Sequence, residues 1–341
     1  MSVDTLRIRT DFAAARANDG KIDGREAKLI IAHARQDRLT YSEGQTIKRQ
    51  MKMNKDFFDP AAAQAFDDFS KIIRRTTVLD PLPPGTPVER AEVEVLPVDV
   101  PRLEWRLIKN GELFRNGISY KDPEQLYLGD CFLMAAMSAV AAMSPQDIDK
   151  AFKKVGPEKY EVTLYNKRGQ PIVVPIDAKL PGNKWYGWYY GRAHDPKELW
   201  PALLEKAFAK LKGGYSKIDG GLSGDAMQMI TGKKSVDTLT RGNRITSEQM
   251  FTKLKDAVDN KKPATASTYG HHSQAKYAGT NIFADHTYVV LKTKTENGKD
   301  YVWLRNPWGN TEPAGNGRDD GIFKIEMSTF MNLFWGISVN G

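Results

Sequence analysis

The sequence predicts a mixed α+β protein in two unequal parts, and three observations carry that expectation. From Cys131 to Met143 runs a stretch of Ala, Met and Leu with no Gly, Pro or formal charge, the composition of a buried helix. A β-branched segment after His286 meets Glu296-Asn297-Gly298-Lys299 and then a second apolar run to Arg305, which is the pattern of a β-hairpin. Six of the 18 prolines fall between Asp80 and Pro101, a density that forbids helix and favours an extended connector. All seven Trp lie after residue 104, so the composition changes at the same place. The expected organisation is a small helical domain over 1–80, a Pro-rich linker over 81–102 and a larger domain over 103–341.

The first part carries apolar residues at helical spacing over 26–35 and 60–75. Between them and the N-terminus, ARANDGKIDGRE at 15–26 has the outline of a calcium-binding loop, with Asp19, Gly20, Ile22, Asp23 and Glu26 suitably spaced. Ala15 and Ala17 stand at two ligand positions, so a Gly-turn between helices is the expectation. A shorter echo, QDRLTYSEG at 36–44, suggests a paired turn. His33 sits beside Ile30 and Ile31 on the apolar face and is expected to pack. Within the linker, Val88 to Val100 alternates apolar and charged residues, as an edge strand would.

Charge and composition exclude several functions. The chain holds 50 Lys plus Arg against 42 Asp plus Glu, and residues 1–100 balance at 16 of each. The basic excess of the larger part is dispersed, not clustered as in a nucleic-acid footprint, so no nucleic-acid partner is expected. The longest mainly apolar stretch, Cys131 to Met143, is too short for a bilayer span of about 20 residues. The N-terminus MSVDTLRIRTDF has no apolar core of a secretory signal, which makes the cytoplasm the expected location, with signal-less secretion the alternative. One Cys in the chain excludes an internal disulfide and any multi-thiolate metal site.

A lone thiol is ordinarily a small buried hydrophobe, but Cys131 stands where a helix begins. Gly129 turns the chain, Asp130 is a good N-cap, and the exposed N–H groups of a first turn favour an anion. That position is expected to lower the thiol's pKa toward neutrality. A nucleophilic Cys needs a base and a group that orients the base. The candidates are His33, His194, His271, His272 and His286. With Asn297-Gly298 as the turn centre, paired residues in the hairpin have numbers summing to about 595. His286 and Asn306 sum to 592, so the hairpin brings them nearly level and the Asn amide can hold the imidazole. Trp308 follows closely enough to shield that bond from water.

Gln125 to Ala136, ELWPALLEKAFAKLKGGY at 198–215, Gly220-Gly221, Asn306-Pro-Trp-Gly309 and DGIFKIEMSTFMNLF at 320–334 together resemble the calpain family of papain-like cysteine proteases. The resemblance covers roughly 103–341 in order. It implies a two-lobe papain-like core, a helical lobe with the Cys and a β-rich lobe with His and Asn, and a cysteine endopeptidase acting on proteins or peptides. It implies Cys131 as nucleophile, His286 as general base and acid, Asn306 as orienter and Gln125 in the oxyanion hole. Departures are Leu126 for a usual Gly, Phe132 for a usual Trp, and Asp285 where Gly commonly precedes the His. The Asp285 carboxylate would either favour the imidazolium or point to solvent. The neighbouring pair His271-His272 reads as exposed loop histidines, with a metal or substrate contact as the alternative.

Animal calpain cores bind one calcium per lobe, which aligns the lobes. Gly117 and Asp122 match the first site, with Ser216 on a family glutamate; Glu312, Asp319 and Asp320 match the second, with Ile322 where an acid is common. Fewer carboxylates mean weaker binding, so calcium is possible rather than required. The C-terminal β-sandwich and EF-hand domains of animal calpains are expected to be absent. Two other functions fit the same residues: a catalytically idle peptide-binding module, and an acyl-transfer enzyme of the transglutaminase type, against which Asn306 in place of Asp counts. The N-terminal part reads as a regulatory or targeting module or a propeptide, with autolysis expected in the exposed linker.

Overall fold

A computed structural model describes residues 12, 21–24, 26–27, 30–31, 41–75, 104–126, 128–183, 187–188, 190–240, 245–313 and 320–341. The chain divides into two compact units, Met1–Leu103 and Glu104–Gly341. The linker expected over 81–102, with its edge strand, lies outside the described residues, as does His33.

In the first unit, helices α1 (Tyr41–Asn54) and α2 (Pro60–Arg75) flank a 3-10 turn at Lys55–Phe57. Helix α2 begins where its sequence dictates: Asp59 Oδ1 accepts the Ala62 N–H at 2.6 Å and Pro60 fills the first helical position. Phe12, Ile22, Ala27, Ile30, Ile47, Ala62, Phe66 and Phe69 form its core. The calcium-loop outline resolves as a capping arrangement. Asp23 Oδ1 accepts from Glu26 N and Glu26 Oε2 accepts from Asp23 N, both at 2.9 Å, so the glutamate closes a helix start. Of the echo at 36–44, residues 36–40 lie outside the described residues and Tyr41 opens α1, while the segment paired with Ile22 is Phe58. Ile22 N donates to Phe57 O at 2.7 Å and Asp59 N to Ile22 O at 3.0 Å.

The second unit has a helical lobe and a β-rich lobe. The helical lobe opens with β1 (Glu104–Arg106) and β2 (Pro123–Glu124), followed by α3 (Cys131–Met143) and α4 (Pro145–Ala151). A three-stranded meander follows, of β3 (Phe152–Gly156), β4 (Lys159–Tyr165) and β5 (Pro171–Asp177). Strands β6 (Leu180–Asn183) and β7 (Gly187–Trp188) join β1, and β8 (Arg192–Ala193) pairs with β2. Helices α5 (Trp200–Lys212) and α6 (Ser223–Thr231) complete it. Helix α3 has the expected bounds and is buried along its length from Phe132 to Ala141. It packs against α6 on one side and the β-rich lobe on another, which is why its sequence is apolar all round.

The β-rich lobe contains β9 (Ser235–Leu239), α7 (Ser247–Asp259), β10 (Ala264–Thr268), β11 (Thr287–Glu296), β12 (Lys299–Arg305), β13 (Ile322–Glu326), α8 (Met327–Leu333) and β14 (Phe334–Asn340). Its six strands form one antiparallel sheet in the order β13-β12-β11-β10-β14-β9. The β11–β12 hairpin turns on Asn297 and Gly298, with φ of 52° and 76°, as a two-residue turn of positive φ requires. Tyr288, Val290, Val302, Leu304, Phe323, Phe330 and Phe334 fill the core between the sheet and α7 and α8. Among the described residues no single helix is long and apolar enough to cross a membrane.

Candidate active site

The hairpin register carries His286 and Asn306 together. Pairs sum to 595 from Glu296↔Lys299 to Lys292↔Trp303, and a bulge before Val290 shifts the register by one. His286 stands just before β11 and Asn306 just after β12, and His286 Nε2 meets Asn306 Oδ1 at 2.8 Å. The Asn306 amide donates to Thr311 O at 3.1 Å, and its Oδ1 also accepts the Trp308 N–H at 3.2 Å, so the carbonyl faces the imidazole. The His286 backbone is held from β10: its N–H donates to Thr268 Oγ1 at 3.0 Å and its carbonyl accepts from Thr268 N at 2.9 Å. Asp285 adopts the left-handed φ of 53° that Asp tolerates and Gly takes more readily.

Trp308 packs on the imidazole with ring centroids 4.6 Å apart, and Tyr288 and Phe283 close two further sides at 5.0 and 6.3 Å. This apolar enclosure pulls His286 down to about 4, against the opposing hydrogen bond from Asn306. Asp285 takes no part in that shift, so the expectation that its carboxylate would favour the imidazolium does not hold.

Cys131 opens α3, and its thiol meets the backbone and side chain of Thr287 and the Phe132 N–H. The expected lowering of its pKa is a second correction. Burial pushes the thiol up to about 12, and the charge next door at Asp130 adds to the rise, outweighing the donors around it. Burial therefore holds both partners of the site toward their neutral forms. Gly221 passes so close to Phe132 that a Cβ there would lie 2.6 Å from the ring, which explains the small residue at that point.

The N-cap expected of the Asp130 side chain is not made. Its backbone carbonyl accepts from Leu133 and Met134 at 2.8 and 3.1 Å, while its fully buried carboxyl lies against the equally buried Glu205. Burial raises both, with no cation among the described residues to offset it and Asp219 a third acid nearby. Glu205 also accepts the Gly191 N–H at 3.1 Å.

Gln125 lies across the lobe boundary from Trp308. The indole Nε1 donates to Gln125 Oε1 at 2.8 Å, the Gln125 amide donates to Leu128 O at 2.7 Å, and Gln125 N donates to Pro307 O at 2.9 Å. Sequence spacing placed Trp308 beside the His–Asn bond but gave no sign of its link to Gln125. Thr287, Thr268 and Phe283 were also missed. His194, largely exposed, meets Oε1 of the buried Glu124, the neighbour of Gln125, at 2.6 Å through its Nδ1. His271 and His272 open a 3-10 turn, and their side chains lie outside the described residues.

The described positions that match the family's calcium sites are already engaged by other groups of the protein. Asp122 Oδ2 accepts from Ser119 N at 2.7 Å and from Trp200 Nε1 at 3.0 Å, and burial raises its pKa. Glu198 stands near it, raised to about 7 by burial and then by Asp122, but its Oε1 already accepts the Arg115 N–H at 3.2 Å. Gly117 contributes a turn with φ of 82°, and Ser216 lies in a 3-10 turn. In the second set, Asp320 Oδ2 is 3.7 Å from Lys121 Nζ and its Oδ1 accepts the Ile322 N–H at 3.1 Å. The Glu312 carbonyl accepts from Asn281 at 3.1 Å, and Asp319 lies outside the described residues. Among the described residues no three His, Cys, Asp or Glu side chains converge on a metal position, whereas calcium takes six to eight oxygens.

A helix-borne Cys in one lobe and a hairpin-borne His and Asn in the other define a papain-like cysteine protease core. The family model for calpain family cysteine proteases matches residues 99–334. The chain belongs to the calpain family. It is 34% identical over 243 residues to a calpain of Schistosoma mansoni, covering 67% of this chain and 32% of that one. It is 26% identical over 245 residues to the calpain-type cysteine protease ADL1 of Oryza sativa subsp. japonica, covering 69% of this chain and 11% of that one. With Calpain-13 of Rattus norvegicus it shares 29% identity over 237 residues, 64% of this chain and 34% of the relative. The chain thus spans about a third of the length of two of these relatives and about a tenth of the other.

Proposed function

We propose that the chain is a cysteine endopeptidase that cleaves protein substrates through a thioester on Cys131. The observation that carries the reading is the His286 Nε2 to Asn306 Oδ1 bond at 2.8 Å. It fixes the imidazole and reserves Nδ1 for the thiol proton. Burial holds both groups toward their neutral forms, and His286 removes the Sγ proton as sulfur attacks the carbonyl carbon. The tetrahedral oxyanion is met by the Cys131 N–H, at the first turn of α3, and by the Gln125 amide, which swings from Leu128 O while Trp308 holds its other end. The imidazolium then gives its proton to the departing amine, and the C–N bond breaks to leave the thioester. Water, deprotonated by His286, releases the acid and restores the thiol. No step passes through a metal.

The test is hydrolysis of an unfolded protein by the full chain. Cys131→Ala is expected to reduce turnover to background while leaving the fold intact by circular dichroism. Turnover that survives in the folded variant would overturn the reading. Incorporation of an added amine in place of release of a free carboxylate would assign the same thioester to acyl transfer.

A further inference from the structure

Arg305 is among the largest fully buried side chains of the protein, 2% exposed, at the end of β12 and immediately before Asn306. Its guanidinium leaves the β-rich lobe and ends inside the helical one. Nη1 donates to Pro123 O at 3.1 Å and to Ser138 Oγ at 3.2 Å, and Nη2 donates to Lys121 O at 3.1 Å and Pro123 O at 3.2 Å. Ser138 belongs to α3, the helix that begins with Cys131. The carbonyls of Lys121 and Pro123 lie on the strand entry that leads to Gln125. One side chain therefore links the segment that holds the imidazole to both segments that hold the thiol and the oxyanion amide.

The bonds go to carbonyls and a hydroxyl. Glu124, Asp122 and Asp320 act on the guanidinium through their charge, and Nε has no partner among the described residues. A buried cation without a directly bonded carboxylate is a poor way to gain stability, since burial costs it hydration that carbonyls only partly replace. Its geometry suits positioning better: a planar fork with several donors fixes direction as well as distance. Two of the acids in its field, Asp122 and Asp320, are positions that match the family's calcium sites. Lys121 Nζ approaches Asp320 from the helical lobe as well. Both acids thus already face a cation of the protein, although burial still raises Asp122.

We propose that Arg305 is a positioning residue that ties the two lobes together at the cleft with a fixed protein charge, so that aligning Cys131 and Gln125 with His286 and Asn306 needs no calcium. The proposal rests on the catalytic reading of those four residues, and its test separates the two.

The experiment labels Cys131 in the full chain with two reagents. Iodoacetamide reacts with the thiolate fraction of any accessible thiol, whereas a peptidyl chloromethyl ketone also requires the aligned cleft. Both rates and the thermal melting curve are measured with chelator and with millimolar calcium. For the wild type, all three are expected to be unchanged by calcium. Arg305→Met, which keeps an apolar stem, is expected to lose about 100-fold in peptidyl labelling, while iodoacetamide labelling stays within a few-fold. Arg305→Lys, with one charge and no fork, is expected to fall between. Calcium that raises the wild type's melting temperature or peptidyl labelling would overturn the proposal. So would wild-type peptidyl labelling in Arg305→Met, or in a folded Arg305→Lys should the methionine variant not fold. A wild type that takes iodoacetamide at Cys131 but never the peptidyl reagent, in either condition, would sink the catalytic reading, while a calcium-invariant melting curve would still support the metal-independent join.

Discussion

At the residue scale, the electrostatics of the site differ from what a thiol at a helix start suggests. The first-turn N–H groups do favour a thiolate, but desolvation outweighs them and leaves the thiol at about 12 and the imidazole at about 4. The sign for activity follows. Raising pH through about 4 frees His286 to act as base, and nothing titrates in the thiol until far above neutrality. The pH profile of kcat/KM is therefore expected to rise near pH 4 and stay level through neutral pH. An acid limb centred near 8.5, the ordinary value of a free thiol, would show that Cys131 must ionise first. Asn306→Ala is expected to lower kcat about 100-fold with little change in KM, because it frees a group that acts only in the transition state. Trp308→Phe keeps an aromatic ring over the imidazole but removes the donor to Gln125 Oε1. A fall of about tenfold in kcat is expected, smaller than the 10²–10³ of losing an oxyanion donor outright. Steady-state kinetics on one peptide substrate compares both.

At the element scale, the turn into α3 buries Asp130 against Glu205, and burial raises both acids. Both acids hold protons to higher pH in the folded chain than in the unfolded one, so the folded state binds more protons. Stability then falls as pH rises from the ordinary carboxylate range through the pair's own value. Urea unfolding is expected to show a loss of order 1–3 kcal/mol between pH 5 and pH 8 from this pair. Asp130→Asn keeps the side chain's shape without a proton to lose, and its dependence on pH should be shallower. Equal slopes in both proteins would contradict the raised pair. Glu198 shifts in the same direction and cancels in the comparison.

The elements themselves were largely legible. Helix α3, helix α2 and the β11–β12 hairpin follow from periodicity and an Asn-Gly turn, because each is decided by neighbours in sequence. The bulge before Val290, the turn of the Asp130 carboxyl away from its helix, and the pairing of Ile22 with Phe58 were not. Each is settled by a residue distant in the chain. Arg305 illustrates the limit: its place beside Asn306 was visible, but its reach to Lys121, Pro123 and Ser138 spans some 170 residues or more and has no periodicity to betray it.

At the scale of the whole molecule, composition sets a Pro-rich segment at 81–102 between a helical N-terminal part and the family core. An active enzyme is expected to cut itself within that segment, since extended Pro-rich chain suits a protease cleft. Mass spectrometry of purified wild type and Cys131→Ala after incubation checks this; a wild type that stays full length as long as the variant would contradict it. The calpain-family core organises one Cys, one His and one Asn from three separate elements, and the central claim is that they form a thioester with substrate. The most direct measurement is acid quench during turnover of an activated peptide ester, followed by mass mapping of the chain. The account predicts an acyl group on Cys131 that hydroxylamine removes. Turnover with no such adduct, or with the acyl group on another residue, would contradict it.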